Sequence, residues 1–207
     1  MLAVEKYFPD LAPVQAALIR QMAPLYRRWN EHINLISRKD VDQLYERHIL
    51  HALAIAKAAQ LADGAEILDA GTGGGFPGIP LAIMFPQCRF TLVDSIGKKV
   101  AAVQKIAAAL SLHNVKTVQA RVETLPQKFD FVVSRAVADL STLMGWTWSK
   151  ISPGNRSSIP NGMLCLKGGD LSEELKGIPQ KIFVIALSDF FDEKFFETKK
   201  IVYIPKS

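Results

Sequence analysis

The stretch Asp69-Ala70-Gly71-Thr72-Gly73-Gly74-Gly75-Phe76-Pro77-Gly78 follows a short apolar run at 67–70 and leads into a segment, 77–85, that can form a helix. Glycines after a buried strand allow positive φ angles and let a ligand approach the backbone. Pro77 suits the first turn of a helix, where its missing N–H is not needed. The stretch therefore predicts a strand, a glycine-rich loop that can hold a ligand, and a helix, in that order.

Strands and helices alternate beyond this loop. After the strand at 67–70, apolar or alternating runs predict strands at 89–93, 115–119, 129–133 and 162–166. Helical segments are predicted at 77–85, 98–110 and 136–150. This alternation indicates an α/β fold with a parallel sheet and right-handed crossovers. Two last strands, at 181–187 and 199–205, predict an antiparallel C-terminal hairpin that closes one edge of the sheet.

The first 60 residues have a helical pattern instead. Apolar residues recur there at spacings of three and four, typical of one helix face; they are Val14, Leu18, Met22, Leu25, Tyr26 and Trp29. Asp40, with Gln43 three residues later, predicts the N-cap of a further helix that continues towards residue 62. We expect a helical N-terminal unit, 1–63, packed on a sheet domain, 64–207.

Bulk composition limits the classes of protein. Hydrophobic residues make up 49% of the chain and charged residues 22%, an ordinary globular balance. Cys88 and Cys165 are far apart and form no disulfide framework, which favours a reducing compartment. We see no secretory signal and no run of the roughly 20 apolar residues that a membrane span needs. We therefore expect a cytoplasmic protein with no membrane partner, and a monomer because it lacks a heptad repeat.

Positive charge is concentrated in one segment. The whole chain has a formal net charge of +5, and the segment 95–135 contains seven basic and two acidic residues. Such a zone suits a phosphate-rich partner. Lysines scattered over a solvated face would give the same count, so charge alone leaves both interpretations open.

Two ligand classes compete for the glycine loop. Residues 73–78 match the G-x-G-x-x-G pattern of dinucleotide sites, with Asp94 about 20 residues further on. From Asp69 the loop also matches D-x-G-x-G-x-G, a pattern of S-adenosylmethionine sites. Asp69 would repel a pyrophosphate but would attract the ammonium and sulfonium of S-adenosylmethionine. Charge therefore favours S-adenosylmethionine over a dinucleotide, with a ligand-free turn as the third alternative.

Several further motifs occur together over residues 29–167. They are the block DAGTGGGFPGIP at 69–80, Trp29-Asn30 with Asn34-Leu35, Arg47-His48-Ile49-Leu50, Thr91-Leu92-Val93-Asp94-Ser95 with Lys98-Lys99, Arg121-Val122-Glu123, Ser134-Arg135-Ala136 and Leu166-Lys167-Gly168. In this order they resemble the glucose-inhibited division protein B family, bacterial methyltransferases that modify N7 of a guanine in small-subunit ribosomal RNA. One departure is His51-Ala52, where the family usually has Asp-Ser.

The resemblance implies a Rossmann-like class I methyltransferase sheet that binds S-adenosylmethionine. Its implied cofactor contacts are Gly71, Gly73, Phe76, Asp94, Val122, Glu123 and Arg135. The first three would line the methionine and ribose side, Asp94 would hold the ribose, and Val122 and Glu123 would frame the adenine. Arg135 would lie where cofactor and target base meet, beyond the carboxyl ends of the strands.

Transfer to N7 fits the residue chemistry, because N7 has a free lone pair and needs no strong general base. Residues 134–137 are Ser-Arg-Ala-Val, not the Asn/Asp-Pro-Pro-aromatic turn used on exocyclic amines. Cys165 lies in an apolar run, where we expect it to pack and not to react. Arg135 is the best candidate for positioning the base through guanine O6 or a phosphate. Its alternative role is a salt bridge to Asp69 or Asp139.

Four basic side chains are candidates for contact with RNA: Lys98, Lys99, Arg121 and Lys167. The two adjacent lysines open a helix, where positive charge opposes the helix dipole and so suggests an external phosphate. Solvated lysines, and an ion pair between Arg121 and Glu123, are the alternatives.

No metal site is predicted, because the histidines lack ligand spacing. A methyltransferase for a small molecule or a protein, and a non-catalytic RNA-binding or ribosome-assembly protein, are the competing functions.

Overall fold

The computed structural model describes residues 3–206, in which seven strands form a sheet. The strands are β1 (Glu66–Ala70), β2 (Arg89–Asp94), β3 (Val115–Gln119), β4 (Phe131–Arg135), β5 (Gly162–Gly168), β6 (Phe183–Ala186) and β7 (Lys199–Pro205). Their order across the sheet is β3-β2-β1-β4-β5-β7-β6. The first five strands pair in parallel, and β7 lies between β5 and β6, antiparallel to both. The predicted α/β fold with its antiparallel C-terminal hairpin is confirmed.

Helices lie before the sheet and between its strands. They are α1 (Ala3–Tyr7), α2 (Pro13–Asn30), α3 (His51–Ala58), α4 (Gly78–Met84), α5 (Gly97–Ala109), α6 (Leu140–Thr147) and α7 (Ser172–Leu175). Pro13 occupies the first turn of α2, where its missing N–H costs nothing. Within the described part of the chain, none of the helices is long and apolar enough to cross a membrane.

Alternate side chains of the central strands enter two apolar layers. Phe131 and Val133 of β4 pack in the layer that also contains Tyr26 of α2 and Leu53 of α3. Val132, between them, packs in the opposite layer with the residues of α6. Burial of β4 on both faces is what a central parallel strand requires. The N-terminal helices therefore share their apolar core with one face of the sheet.

The N-terminal segment differs from its prediction after residue 37. Asp40 is not a helix N-cap, because it lies within the 3-10 helix Arg38–Gln43 and its carboxylate accepts a hydrogen bond from Arg47 Nη1 at 2.7 Å. A π-helical turn, Tyr45–Leu50, then leads into α3, which ends at Ala58. Residues 1 and 2 of the predicted N-terminal unit, and residue 207 of the sheet domain, lie outside the described residues.

The helix predicted at 136–150 begins later, at Leu140. Ala136 has a φ of +53°, a left-handed conformation that does not continue into a helix. Asp139 caps α6 instead, because its Oδ1 accepts a hydrogen bond from Thr142 N at 2.8 Å. The connection between β4 and α6 is therefore free to approach the glycine loop.

Candidate functional site

The glycine loop after β1 is shaped by close contacts with two other segments. Gly71 has a φ of +69°, and a Cβ added there would lie 2.5 Å from Cγ2 of Val137, in the connection between β4 and α6. A Cβ on Gly74 would lie 2.6 Å from the carbonyl oxygen of Leu35, in the segment after α2. Both approaches require glycine, since any side chain would collide with its neighbour.

Asp69 supports this loop from inside the protein. Its side chain is fully buried, and its Oδ2 accepts hydrogen bonds from Thr72 Oγ1 at 2.6 Å and from Gly78 N at 2.8 Å. Burial raises the pKa of Asp69 to about 6, although both hydrogen bonds and the nearby Arg135 oppose the rise. The carboxylate thus ties the start of α4 to β1, instead of facing a cofactor as the charge argument supposed.

Asp94, the last residue of β2, joins the glycine loop to the start of α5. Its Oδ2 accepts a hydrogen bond from Gly73 N at 2.9 Å, and its Oδ1 accepts one from Ile96 N at 2.8 Å. A carboxylate oxygen has two lone pairs, so each oxygen can accept one further hydrogen bond. The side chain is fixed in place and still able to bind two hydroxyl groups.

A cavity of about 210 Å³ opens beside Asp94, at the carboxyl ends of β1, β2 and β3. Its lining residues are Ala70, Gly71, Val93, Asp94, Ser95, Ala120, Arg121, Val122, Glu123, Val137, Leu143 and Trp146. Four of the predicted cofactor residues meet there: Gly71, Asp94, Val122 and Glu123. The crevice beyond the carboxyl ends of the strands is where open α/β sheets bind ligands.

One wall of this cavity was not foreseen from sequence. Val137, Leu143 and Trp146 come from α6 and the connection before it. A tryptophan in an apolar helix is ordinarily a core residue, yet the half-buried ring of Trp146 lines the cavity. A tryptophan in an apolar helix gives no sequence signal that separates these two roles, whereas the N-cap at Asp139 could have located the helix that holds it.

Phe76 lies outside the cavity, in the core. Its side chain is 2% exposed and packs against the ring of Tyr26 at 4.9 Å and the ring of His48 at 5.2 Å, centroid to centroid. Helices distant in sequence therefore bury the Phe76 ring. The family resemblance implied instead that Phe76 lies beside the methionine of the cofactor. Gly73 is likewise absent from the cavity wall and contributes its N–H to Asp94.

Arg135, at the end of β4, is held by the N-terminal helices. Its Nη2 hydrogen bonds to His48 Nδ1 at 2.9 Å, and its Nη1 donates to the carbonyl oxygen of Arg47 at 3.3 Å. The guanidinium stacks over the Phe76 ring, 4.9 Å from its centroid. Burial lowers the pKa of Arg135 to about 10, so the side chain is still charged at neutral pH. These hydrogen bonds, and not a salt bridge to Asp69 or Asp139, hold it beside the glycine loop.

The four candidate RNA contacts fall into two groups. Lys98 and Lys99 lie in the first turn of α5. Arg121 lies on the cavity rim, where it forms a 3.3 Å ion pair with the exposed carboxylate of Glu123. An exposed pair of this kind is weak and easily exchanged. Lys167 is different, because its side chain is 12% exposed, donates to the Ala138 carbonyl oxygen at 2.7 Å and pairs with Glu174. It links β5 to its surroundings and is not available to a phosphate.

Neither cysteine provides a nucleophile. Burial raises the pKa of Cys165 to about 12 and that of Cys88 to about 11. The thiolate is the reactive form of cysteine, and it is scarce at such pKa values. Among residues 3–206, no three histidine, cysteine or acidic side chains lie close enough together to hold a metal ion.

The fold is shared with solved structures of other proteins. A SAM-dependent methyltransferase from Aquifex aeolicus has a TM-score of 0.58 at 15% identity, over 82% of this chain and 98% of that one. A mutant of MtNAS in complex with S-adenosylmethionine has a TM-score of 0.61 at 10% identity, over 94% of this chain and 77% of that one. The seven-stranded sheet is thus a Rossmann-like fold, and the cavity at Asp94 lies at the carboxyl ends of its strands.

The chain belongs to the family described as rRNA small subunit methyltransferase G, which matches residues 15–201. It is 52% identical over 203 residues to ribosomal RNA small subunit methyltransferase G of Christiangramia forsetii, covering 98% of this chain and 95% of that protein. The protein of the same name from Cytophaga hutchinsonii is 47% identical over 205 residues and covers 99% of each chain.

Proposed function

We propose that this chain transfers a methyl group from S-adenosylmethionine to N7 of a guanine in small-subunit (16S) ribosomal RNA. The observation that supports it most is the cavity at Asp94, in a chain that belongs to the rRNA small subunit methyltransferase G family. We further propose that it acts as a monomer in the cytoplasm, on ribosomal RNA or on the ribosomal subunit.

The residues around the cavity fit the cofactor. Asp94 has two oxygens ready for ribose hydroxyls, and Gly71 lets the loop backbone approach closely. Val122, Leu143 and Trp146 offer an apolar slot for the adenine, with Glu123 at its rim. Bound there, S-adenosylmethionine supplies an electrophilic methyl group on a sulfonium.

The chain's own residues suit an acceptor that loses no proton. The ionisable side chains on the cavity wall are Asp94, Arg121 and Glu123, and Asp94 is already engaged by two backbone N–H groups. Guanine N7 attacks with a free lone pair, so positioning replaces proton abstraction. Both thiols are buried and protonated, which disfavours a pyrimidine C5 mechanism.

Arg135 is the best candidate for orienting the base. Two of its five N–H donors are engaged by Arg47 and His48, and the others can reach guanine O6 while N7 stays free. Lys98, Lys99 and Arg121 would hold neighbouring phosphates, so affinity for RNA should fall as salt rises.

The test is transfer of tritium from labelled S-adenosylmethionine to small-subunit RNA and to small subunits, with the label mapped by cleavage at N7-methylguanine. We expect one labelled guanine. Asp94→Ala should lower the transfer rate at least about 100-fold, because the loop and the ribose lose the same anchor. Asp189→Ala, at an exposed aspartate remote from the cavity, is the matched control and should keep the wild-type rate.

Other outcomes would identify the alternatives. Cofactor binding without label in any ribosomal substrate would overturn the RNA assignment and favour a small-molecule methyltransferase. Binding of RNA without detectable affinity for S-adenosylmethionine would favour a non-catalytic assembly protein.

A further inference from the structure

Arg135 is not among the residues that line the cavity, so the position of its guanidinium depends on the groups that bind it. Strand β4 positions the backbone of Arg135, whereas the guanidinium is bound by the π-helical turn Tyr45–Leu50. The π-turn contributes a carbonyl oxygen, from Arg47, and a ring nitrogen, from His48. Single-turn π-helices within α-helices often occur at functional sites.

The hydrogen bond at 2.9 Å defines the state of His48. A guanidinium only donates, so His48 Nδ1 must accept with its lone pair, and the ring proton must be on Nε2. The ring is therefore neutral and in one tautomer. A protonated ring would place an N–H against the Arg135 cation and break the bond.

The surroundings of His48 hold that ring in place. It is 8% exposed and packs on the Phe76 ring, with which Arg135 also stacks. Its Nε2 has no hydrogen-bond partner among the described residues, and the nearest carboxylate oxygen, Asp40 Oδ2, is 3.9 Å away. Asp40 pairs instead with Arg47 at 2.7 Å, the residue whose carbonyl oxygen also accepts from Arg135.

We propose that His48 is a positioning residue for methyl transfer, and that it presents the Arg135 guanidinium to the target base. The inference rests on the proposed function, in which Arg135 contacts the guanine. It makes the N-terminal helices part of the catalytic apparatus, because a residue of the turn before α3 sets the direction of an arginine on β4.

The experiment compares two substitutions of His48 with one of a neighbouring histidine. His48→Leu removes the acceptor, whereas His48→Asn keeps an oxygen near the position of Nδ1. His51→Leu is the matched control, since His51 is equally buried one turn later and contacts Phe195 instead of Arg135. Steady-state kinetics are measured for ribosomal RNA and for S-adenosylmethionine, and thermal unfolding reports on the fold of each variant.

We expect His48→Leu to lower kcat on RNA about 10- to 100-fold, the scale expected for a misplaced positioning group. The KM for S-adenosylmethionine should stay within about twofold, because His48 does not line the cavity. His48→Asn should have most of the wild-type rate, and His51→Leu should have the full wild-type rate. In an Arg135→Ala background, His48→Leu should cause no further loss, because no guanidinium is left to hold.

Equal losses in the two backgrounds would overturn the proposal, as would a wild-type rate in folded His48→Leu. If His48→Leu does not fold, His48→Gln replaces it, because its amide reaches the position of Nε2 and leaves Arg135 without the acceptor at Nδ1. Its rate on RNA should then fall well below that of His48→Asn, and equal rates would overturn the proposal. Failure of the proposed function is distinguishable, because wild-type protein would then transfer no label to the RNA, or Arg135→Ala would keep the full rate.

Discussion

At the scale of single residues, Gly71 shows how the loop motif acts. We expect Gly71→Ala to weaken binding of S-adenosylmethionine at least about tenfold, because the new methyl would lie 2.5 Å from Val137 and push the loop into the cavity. The control is Gly177→Ala, at a similar φ of +77° but with no atom within 4 Å of the added Cβ. Isothermal titration calorimetry with S-adenosylmethionine measures the affinity of both variants, and equal affinities would show that the contact between Gly71 and Val137 has no effect on the site.

The residues of the site differ in how far they could be predicted from sequence. Gly71 and Asp94 could be placed, because they follow directly on strands whose carboxyl ends meet at one edge of the sheet. Phe76 could not, because Tyr26 and His48, distant in the chain, decide which way its ring points. Lys167 looked available for RNA, and only the folded structure brings Glu174 and the Ala138 carbonyl to it.

At the scale of elements, α6 provides a wall of the cavity, and its first turn depends on Asp139. We expect Asp139→Ala to lower the thermal midpoint by a few degrees and cofactor affinity about two- to tenfold, because Thr142 N would lose its acceptor. Asp170→Ala is the matched control, since Asp170 accepts from Ser172 N at the start of α7, which does not line the cavity. Differential scanning calorimetry measures the thermal midpoint of each variant, and titration with S-adenosylmethionine measures its affinity. An equal loss of affinity in Asp139→Ala and Asp170→Ala would contradict the role of α6.

The start of α6 also shows where pattern-based prediction stops. The apolar spacing over 136–150 resembles a continuous helix, but residues 136–139 are not helical and Ala136 has a positive φ. Alanine gives no sequence sign of a left-handed conformation. The strand and helix alternation was easier to predict, because each buried strand is an apolar run of its own.

At the scale of the whole molecule, buried histidines should make stability depend on pH. Burial, and next the charge of Arg135, lower the pKa values of His48 and His51 to about 3. Below pH 6.5 the unfolded chain therefore binds protons that the folded chain does not, and stability falls as pH falls. Burial raises the pKa of Asp69 to about 6, so protonation of Asp69 increases stability as pH falls from 6 to 4. This single carboxylate offsets only part of the effect of the two histidines.

We expect the free energy of unfolding to be about 2 kcal/mol lower at pH 5.5 than at pH 7.5, from roughly 1.4 kcal/mol for each histidine less the smaller gain from Asp69. Urea denaturation at the two pH values measures it. His51→Leu should show only about a third of the wild-type difference, because Asp69 still opposes the one histidine that is left. A stability that is unchanged or higher at pH 5.5 would mean that the two rings take up protons in the folded state.

The position of β7 between β5 and β6 has a consequence for synthesis of the chain. The edge of β5 and the whole of β6 have their pairing partner in β7, which is translated after both. At about 5–20 residues per second, a ribosome takes roughly one to four seconds to add the residues from the end of β6 to the end of β7. For that interval β6 and one edge of β5 are unpaired, and both strands are rich in apolar side chains, the condition in which chaperones are most useful. An enzyme proposed to modify the ribosome would thus complete its sheet only after its own translation has passed residue 199.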